Sequence, residues 1–289
     1  MPTLFAPAKI NVTLEILARR SDGYHEVRSL MAPIGLFDRI TLEPAAATAL
    51  RSNVTGLEEE NLVVRALRAA GVGAKMQVDL HKEIPIGGGL GGGSSDAASV
   101  LLAARAGELG PATAQDWTTT ARSLGSDVPF FLVRGAAMIE GTGELLTPAR
   151  ALPAWWVVVV RPTVAVATAD AYARLAASRP NGPPQRPRQE SATLRALAAL
   201  EAHDFALLEA HLINDFHALI LAAYPAVARA HAKMVQAGAP RALLSGSGSC
   251  LFALCEREDG ARRVAKNIAR DEDVADIFVA PLTATPQKP

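Results

Sequence analysis

The chain carries Pro85-Ile86-Gly87-Gly88-Gly89-Leu90-Gly91-Gly92-Gly93-Ser94-Ser95-Asp96 between a predicted strand and a predicted apolar helix. Six of the seven positions 87–93 in this segment, the glycine loop, are glycine, so backbone N–H groups can converge on an anion. The helix that follows adds free amides and a favourable dipole at the same place. The segment therefore predicts a phosphate-binding loop. A flexible linker is the structural alternative, but linkers rarely lead straight into an apolar helix.

Two well-known phosphate-loop patterns do not fit this loop. Positions 87–92 formally match the dinucleotide pattern G-x-G-x-x-G, but the polar run 81–83 separates them from the preceding strand. No acidic residue ends a strand about 20 positions later, as a ribose contact would require. A Walker A motif has a lysine where this chain has Ser94. The loop is therefore expected to bind phosphate by another scheme.

Hydrophobic periodicity predicts a mixture of strands and helices around the loop. In the first half it predicts strands over 10–16, 27–34, 39–43 and 76–80, helices over 59–70, 95–106 and 114–124 with Thr113 as N-cap, and a strand-like run over 129–139. In the second half it predicts strands at 155–160 and 275–279, a strand pair around 245–249, and helices over 192–201, 205–221, 226–237 and 259–269. The Pro-rich segment 178–190 is predicted to be a loop. Because strands and helices mix without regular alternation, the pattern favours an α+β fold.

Composition excludes several classes of protein. The chain has 289 residues, 49% of them apolar, and its 29 basic and 29 acidic residues cancel. Disorder is excluded for most of the length, and a broad nucleic-acid or anionic-membrane surface is not expected. No apolar run approaches the ~20 residues of a membrane span, and the N-terminus has no signal-peptide pattern. With only two cysteines, the chain is expected in a reducing cytosol.

Two charged residues stand out against apolar surroundings. Lys9 lies in Pro7-Ala8-Lys9-Ile10-Asn11, where a buried ammonium is costly unless it meets an anion; a solvated lysine at a strand edge is the alternative. Asp127 lies in Gly125-Ser126-Asp127-Val128-Pro129, where a carboxylate can be held at the edge of a cleft. The structural alternative is that Asp127 serves as a turn residue or an N-cap.

Two other segments are candidates for ligand contact. Residues 245–249, the serine loop, alternate serine and glycine, and such a loop lets backbone approach a ligand or the glycine loop. A simple hairpin is the alternative. Tyr24 and His25 place an aromatic ring and an imidazole on a predicted turn, although such a pair is more often structural.

These pieces occur together and in a fixed order: 7–11, 87–95, 125–129 and 245–248. In this they resemble the GHMP kinase superfamily, named for galactokinase, homoserine kinase, mevalonate kinase and phosphomevalonate kinase. The resemblance runs from residue 5 to about residue 255. Through Arg20-Ser21-Asp22-Gly23-Tyr24-His25 it is closest to the kinases of the non-mevalonate isoprenoid pathway, which act on a cytidine diphosphate compound.

The resemblance implies an α+β fold with an N-terminal ATP-binding domain (1–150), a C-terminal domain (151–289) that contributes substrate-binding residues, and an active site in the cleft between them. It implies ATP as co-substrate, Mg²⁺ on the ATP phosphates with no protein ligand identified, and phosphorylation of a hydroxyl on the methylerythritol moiety of the substrate. A small molecule is thus the expected partner, with no nucleic acid or membrane; monomer and homodimer both remain open.

Site residues follow from the resemblance position by position. It implies that Asp127 is the base for the attacking hydroxyl and that Lys9 is its partner. For ATP it implies contacts from Asn61, Pro85, Ile86, Gly87, Gly88, Gly89, Leu90, Gly91, Gly92, Gly93, Ser94 and Ser95. For the cytidine substrate it implies contacts from Asn11, Tyr24, His25, Thr168, Tyr172 and Gly246.

Two other functions are weighed against this one. Another GHMP kinase, of homoserine or mevalonate type, is disfavoured because an aliphatic substrate needs no aromatic clamp from Tyr24, His25 and Tyr172. A nucleotide-binding regulator without turnover is disfavoured by the complete set of lysine, aspartate and glycine loop. Mild departures from the family pattern are Asp96, where some relatives carry Asn, and Ser247, where Thr is common.

Overall fold

The computed structural model describes residues 2–20, 25–57, 61–179, 190–268, 270 and 272–286. Its strands are β1 (Thr3–Asn11), β2 (Thr13–Arg19), β3 (His25–Pro44), β4 (Ala49–Ser52), β5 (Met76–His81), β6 (Ala137–Gly141), β7 (Leu145–Pro148), β8 (Trp156–Pro162), β9 (Ile213–Asn214), β10 (Leu243–Leu244), β11 (Leu251–Cys255) and β12 (Val274–Pro281). Its helices are α1 (Leu62–Ala69), α2 (Gly92–Arg105), α3 (Trp117–Leu124), α4 (Val128–Leu132), α5 (Thr168–Ser178), α6 (Ala192–Glu201), α7 (Phe205–Ala210), α8 (His217–Ala223), α9 (Pro225–Gln236) and α10 (Glu258–Asn267).

The first sheet is organised around β3, which pairs antiparallel with β1, β2, β5 and β6. The sequence predicted two strands here, separated at Gly35, but β3 is one strand of 20 residues. Gly35 serves another purpose, since a Cβ there would lie 2.9 Å from the ring of Pro281 on β12. The glycine thus allows a close approach between β3 and the second sheet instead of ending a strand.

The second sheet has the order β10-β11-β8-β12. Its central strand β8 buries both faces: Val157 and Val159 join the core against the first sheet, while Val158 and Val160 join the core beneath α5, α9 and α10. A strand covered on both faces reads as an unbroken apolar run, which is why the sequence pattern located it correctly. Helices and strands are mixed throughout, so the α+β prediction is confirmed.

Four further sequence-based element predictions were wrong. The predicted strand 10–16 is divided at Val12 between β1 and β2. Residues 128–132 form helix α4 instead of a strand, because Pro129 in its first turn is pre-set for helix geometry. Helix α3 begins at Trp117 and is capped by Asp116, whose carboxylate accepts from two backbone amides, so Thr113 is not its N-cap. The predicted helix 205–221 is divided into α7 and α8 by the short strand β9, which pairs parallel with β2.

Some predictions fall outside the described residues, among them Tyr24 and most of the predicted 178–190 loop. Strands β4 and β7 and helix α5 were not predicted. Across the ranges that the structure describes, no helix is both long and apolar enough to cross a membrane.

Candidate active site

The glycine loop turns directly into α2. Gly87, Gly89 and Gly91 have φ values of +69°, +76° and +73°, the left-handed region in which glycine is favoured. The helix begins at Gly92, three residues before the predicted start, and its first bond runs from Ser95 N to the Gly91 carbonyl at 2.9 Å. The three amides before Ser95 therefore have no partner within the helix, which leaves donors and a positive dipole end for an anion.

The serine loop packs against the back of the glycine loop. The Ser245 hydroxyl donates to the Gly89 carbonyl at 3.0 Å, and the Cys250 amide donates to the Gly88 carbonyl at 3.2 Å. A Cβ on Gly89 would lie 2.1 Å from the Ser245 carbonyl oxygen, and one on Gly88 would lie 2.4 Å from Cys250 Sγ. Glycines 88 and 89 are therefore required by this loop-to-loop contact. The predicted approach of the two loops is present.

The serine loop is itself held by residues of the second half of the chain. The Asn214 side-chain amide donates to the carbonyls of Leu244 and Gly246 at 2.9 and 2.8 Å. His217 Nδ1 accepts from the Leu244 amide at 3.4 Å, and its ring lies 4.9 Å from that of His231. Burial and the neighbouring His231 lower the pKa of His217 to about 4.

We expect this histidine to make the stability of the protein depend on pH. The unfolded chain binds a proton on His217 below about pH 6.5, whereas the folded chain binds it only near pH 4. Because the unfolded state then holds more protons, the free energy of unfolding should decrease as the pH falls through this window. Urea unfolding at about pH 7 and about pH 5 measures this. In His217→Asn, which retains an acceptor near the Leu244 amide, the decrease should be smaller; an equal decrease in both proteins would contradict the assignment.

Lys9 and Asp127 meet beside the glycine loop. Lys9, only 3% exposed, lies 3.5 Å from Asp127 Oδ2 and donates to Asn11 Oδ1 at 2.5 Å. Its backbone amide donates to the Leu90 carbonyl at 2.9 Å, which ties β1 to the loop. Asp127 occupies the N-cap position of α4 but makes no side-chain capping hydrogen bond. Its carboxylate is 39% exposed and so remains available to a ligand.

Two cavities adjoin the glycine loop, and both are lined by Gly89 and Gly91. The smaller, about 410 Å³, is lined by Asn61 and by the loop from Pro85 to Ser94. The larger, about 990 Å³, is lined by Lys9, Asn11, His25, Asp127, Thr168, Tyr172 and Gly246. Ser95 lines neither cavity: its side chain is fully buried, and its hydroxyl has no hydrogen-bond partner among the described residues.

Hydrogen bonds and close packing fix several of the predicted site residues in these cavities. Asn61 caps α1 by accepting from the Val63 amide at 2.9 Å. Gly246 of the serine loop lies close to the glycine loop, and an added Cβ there would lie 3.3 Å from the Gly89 carbonyl oxygen and 3.4 Å from Asn11 Oδ1. The Thr168 hydroxyl lies 3.0 Å from that of Ser247. The described residues predicted from sequence therefore converge, with the exception of Ser95.

An aromatic cluster lies in the larger cavity. The Tyr172 ring is 4.9 Å from the rings of both His25 and Phe216. Burial, together with the negative charge of Asp127, raises the pKa of Tyr172, so the carboxylate acts on the aromatic cluster across one cavity. Sequence reasoning missed Phe216 because it lay inside the predicted helix 205–221. A break signal was available, since Asn214 and Asp215 favour turns and caps.

The charged residues Lys82, Asp96 and Arg122 were also missed as parts of this region. Lys82 and Asp96 line the smaller cavity, and Arg122 lines the larger one. A single charged residue in the sequence carries no signal of whether it will be buried, and Asp96 is marked in the sequence only as a departure from the family pattern. Only the folded chain brings them to the cavities.

Comparison with known proteins identifies relatives that span the chain. The family descriptions "GHMP kinases N terminal domain" and "GHMP kinases C terminal" match residues 61–135 and 196–273. A protein of Deinococcus radiodurans named 4-diphosphocytidyl-2-C-methyl-D-erythritol kinase is 39% identical over 92% of this chain and 88% of its own length. A crystal structure of a 4-(cytidine 5'-diphospho)-2C-methyl-D-erythritol kinase superposes with a TM-score of 0.77 at 37% identity, covering 98% of this chain and 99% of that one. A homoserine kinase structure from Cytophaga hutchinsonii, with a TM-score of 0.68 at 18% identity over 98% and 95% of the two chains, shares the fold.

Proposed function

Since the chain belongs to the 4-diphosphocytidyl-2-C-methyl-D-erythritol kinase family of the GHMP kinases, we propose that it transfers the γ-phosphoryl group of ATP to a hydroxyl of 4-diphosphocytidyl-2-C-methyl-D-erythritol. The products are the 2-phosphate and ADP, in the synthesis of isoprenoid precursors. One observation carries the proposal: the Lys9–Asp127 pair stands beside the glycine loop in the larger of two cavities that share that loop.

This arrangement separates two binding tasks. The smaller cavity, with Asn61 and the glycine loop, would take ATP and leave its terminal phosphate at the free amides of α2. The larger cavity would take the cytidine substrate, with the base near Tyr172 and His25 and the reacting hydroxyl near Asp127. Phosphoryl transfer depends mainly on in-line positioning and on countercharge, and this division provides the positioning.

The chain's own residues would supply the chemistry as follows. Asp127 accepts the proton of the attacking hydroxyl, an assistance worth about 10²–10⁴-fold. Lys9 is held by Asn11 through its ammonium and by the Leu90 carbonyl through its backbone amide. It balances the charge that develops between the carboxylate and the transferring phosphoryl group. The free amides of α2 hold the phosphate oxygens. Lys9 needs no rearrangement for this because it is already buried and oriented.

We expect Mg²⁺ to accompany ATP and to neutralise phosphate charge. Within the described ranges, no group of three or more His, Cys, Asp or Glu side chains could hold a metal ion. Phosphate oxygens and water commonly supply most of the ligands of a nucleotide-bound Mg²⁺, and no protein residue is assigned to it.

The setting of the enzyme is also part of the proposal. We place it in the cytoplasm, because Cys250 and Cys255 are free thiols that suit a reducing compartment. We divide the chain into an ATP-binding domain, 1–150, and a domain over 151–289 that contributes Thr168, Tyr172 and Gly246 to the larger cavity.

Two assays test the function. In the first, ADP release is coupled to a spectroscopic readout with the cytidine substrate, mevalonate or homoserine as acceptor. We expect turnover with the cytidine substrate alone. In the second, calorimetry measures CMP binding. Turnover with mevalonate or homoserine and no CMP affinity would assign the chain to another GHMP kinase activity, and binding without ADP release would indicate a regulator.

The aromatic cluster gives a sharper prediction. Tyr172→Ala should weaken CMP binding by about 1–3 kcal/mol, because it removes a stacking face for the base. Tyr172→Phe is the matched control: it keeps the ring and should bind CMP nearly as well as the unmodified protein. Calorimetric titration of both variants decides the matter. If the alanine variant binds CMP with unchanged affinity, cytidine does not bind at this cluster.

A further inference from the structure

A buried charge cluster lies beside the glycine loop and has no part in the mechanism above. The Lys82 ammonium donates to the carboxylates of Asp38 and Asp96, the latter at 2.7 Å. The three side chains are 6%, 0% and 3% exposed. Asp38 also accepts from the backbone amides of Glu83 and Ile84 at 2.7 and 2.9 Å. The cluster thus joins β3, the segment after β5, and α2.

The cluster lies against the first turn of α2. A Cβ on Gly92 would lie 3.1 Å from Lys82 Nζ and 3.2 Å from Asp38 Oδ2. Lys82 and Asp96 also line the smaller cavity together with the glycine loop. The net charge of the cluster therefore acts on the amides that we expect to hold phosphate.

That net charge has two accessible values. With both carboxylates ionised it is negative, and with one of them protonated it is zero. Asp38 has Lys82 and two backbone donors, whereas Asp96 Oδ1 is buried with no hydrogen-bond partner among the described residues. Burial raises the pKa of Asp96 to about 7, against the opposing effect of the Lys82 charge. The proton therefore resides on Asp96.

We propose that Asp96 is a positioning residue of the glycine loop whose ionisation weakens the binding of nucleotide phosphates. The proposal rests on the proposed function, because it takes the smaller cavity as the ATP site. When Asp96 is neutral, Lys82 and Asp38 balance each other beneath the loop. When Asp96 is ionised, an uncompensated negative charge lies beside the bound phosphates and repels them.

Other charged residues near α2 do not replace this interaction. Lys82 and Asp38 are the charged groups that act on Asp96. The remaining charged or titratable residues of α2 and of the elements packed on it form no hydrogen bond or ion pair with Asp96 within the described ranges; they are Lys9 of β1, His25, Glu26, Arg28, Arg39 and Glu43 of β3, Arg65 and Arg68 of α1, Arg105 of α2 itself, and Arg122 of α3. Helix α4 carries no charged residue.

The test compares calorimetric ADP affinity of the full chain and of Asp96→Asn at about pH 6 and about pH 8.5. Protonation of ADP itself changes the affinity of both proteins alike, so it cancels in the ratio of their ADP affinities. Asp96→Asn, which resembles the neutral acid in shape, should bind ADP equally well at the lower pH and about 3- to 10-fold more tightly than the unmodified chain at the higher pH. An unchanged ratio at both pH values, or weaker binding by Asp96→Asn at both, would overturn the proposal.

A second measurement does not depend on the variant folding. Calorimetry of ADP binding in two buffers of different ionisation enthalpy gives the number of protons that the complex takes up. At about pH 7.5, where the ADP phosphates are already ionised, the unmodified chain should take up a fraction of a proton as ADP binds. No proton uptake would also overturn the proposal. Turnover with the cytidine substrate is measured separately: its absence would contradict the proposed function, whereas turnover together with a pH-independent ratio would contradict only the role of Asp96.

Discussion

Asp127→Asn is expected to lose about 10²–10⁴-fold in kcat while it still binds ATP and CMP. The carboxamide has nearly the same size as the carboxylate but cannot accept the proton of the attacking hydroxyl. The fold should tolerate the change, because Asp127 makes no capping hydrogen bond to α4 and is 39% exposed. Steady-state ADP release gives kcat, and calorimetry gives the two affinities.

The control for this variant makes the same chemical change away from the cavities. Asp259→Asn, at the exposed start of α10, alters a carboxylate that pairs only with the exposed Arg257 among the described residues. It should leave kcat unchanged. If Asp127→Asn retained turnover within about tenfold of the unmodified enzyme, Asp127 would not be the base, and a structural role for the Lys9–Asp127 pair would be the better interpretation.

Gly89→Ala should lower the free energy of unfolding by about 2–4 kcal/mol and remove most of the activity. The new Cβ would lie 2.1 Å from the Ser245 carbonyl oxygen, so backbone of one loop or the other must move. The residue also has a φ of +76°, which an L side chain adopts at a cost. Urea unfolding measures the loss of stability, and ADP release measures the loss of activity.

Gly87→Ala separates these two causes. Gly87 has a similar φ of +69°, but an added Cβ there has no neighbour within 4 Å among the described residues. This variant should lose only about 1 kcal/mol, the cost of the backbone conformation. Equal losses for the two alanine variants would show that the contact with the serine loop is not what requires glycine at position 89.

The sequence predicted much of the site but gave an incomplete reason for its central glycines. Convergence of amides on a phosphate was the expected role of Gly88 and Gly89, and the structure adds a contact with Ser245 and Cys250. Such a contact joins residues more than 150 positions apart in the chain. No local pattern specifies which distant backbone will lie against a loop, so the sequence could indicate only that some close approach occurs.

The alternatives for single residues show the same limit. Lys9 could be a solvated lysine and Asp127 a helix cap when each is considered in its own segment. Pairing of β1 with β3, and the packing of α4 against the glycine-loop helix α2, bring the two side chains to 3.5 Å. Phe216 was missed because the apolar pattern of 205–221 continues across it as one helix. In the structure the helix is interrupted before Phe216, because the Asn214 side chain holds the serine loop and also accepts a hydrogen bond from the Phe216 amide.

Amino-acid order was sufficient to identify the glycine loop, the helix behind it, the mixed α+β class and the family resemblance. Left-handed glycines, residue periodicity and ordered motifs are all properties of short segments, so they can be recognised without the fold. Long-range packing decided the contacts themselves. It brings Lys9 to 3.5 Å from Asp127 and places the Ser245 hydroxyl on the Gly89 carbonyl, two approaches that the sequence indicated without their geometry, and it forms the buried Asp38–Lys82–Asp96 cluster, which the sequence did not indicate. Each depends on which strands pair and in which register. Burial then gives these groups energies of interaction that they would not have in water.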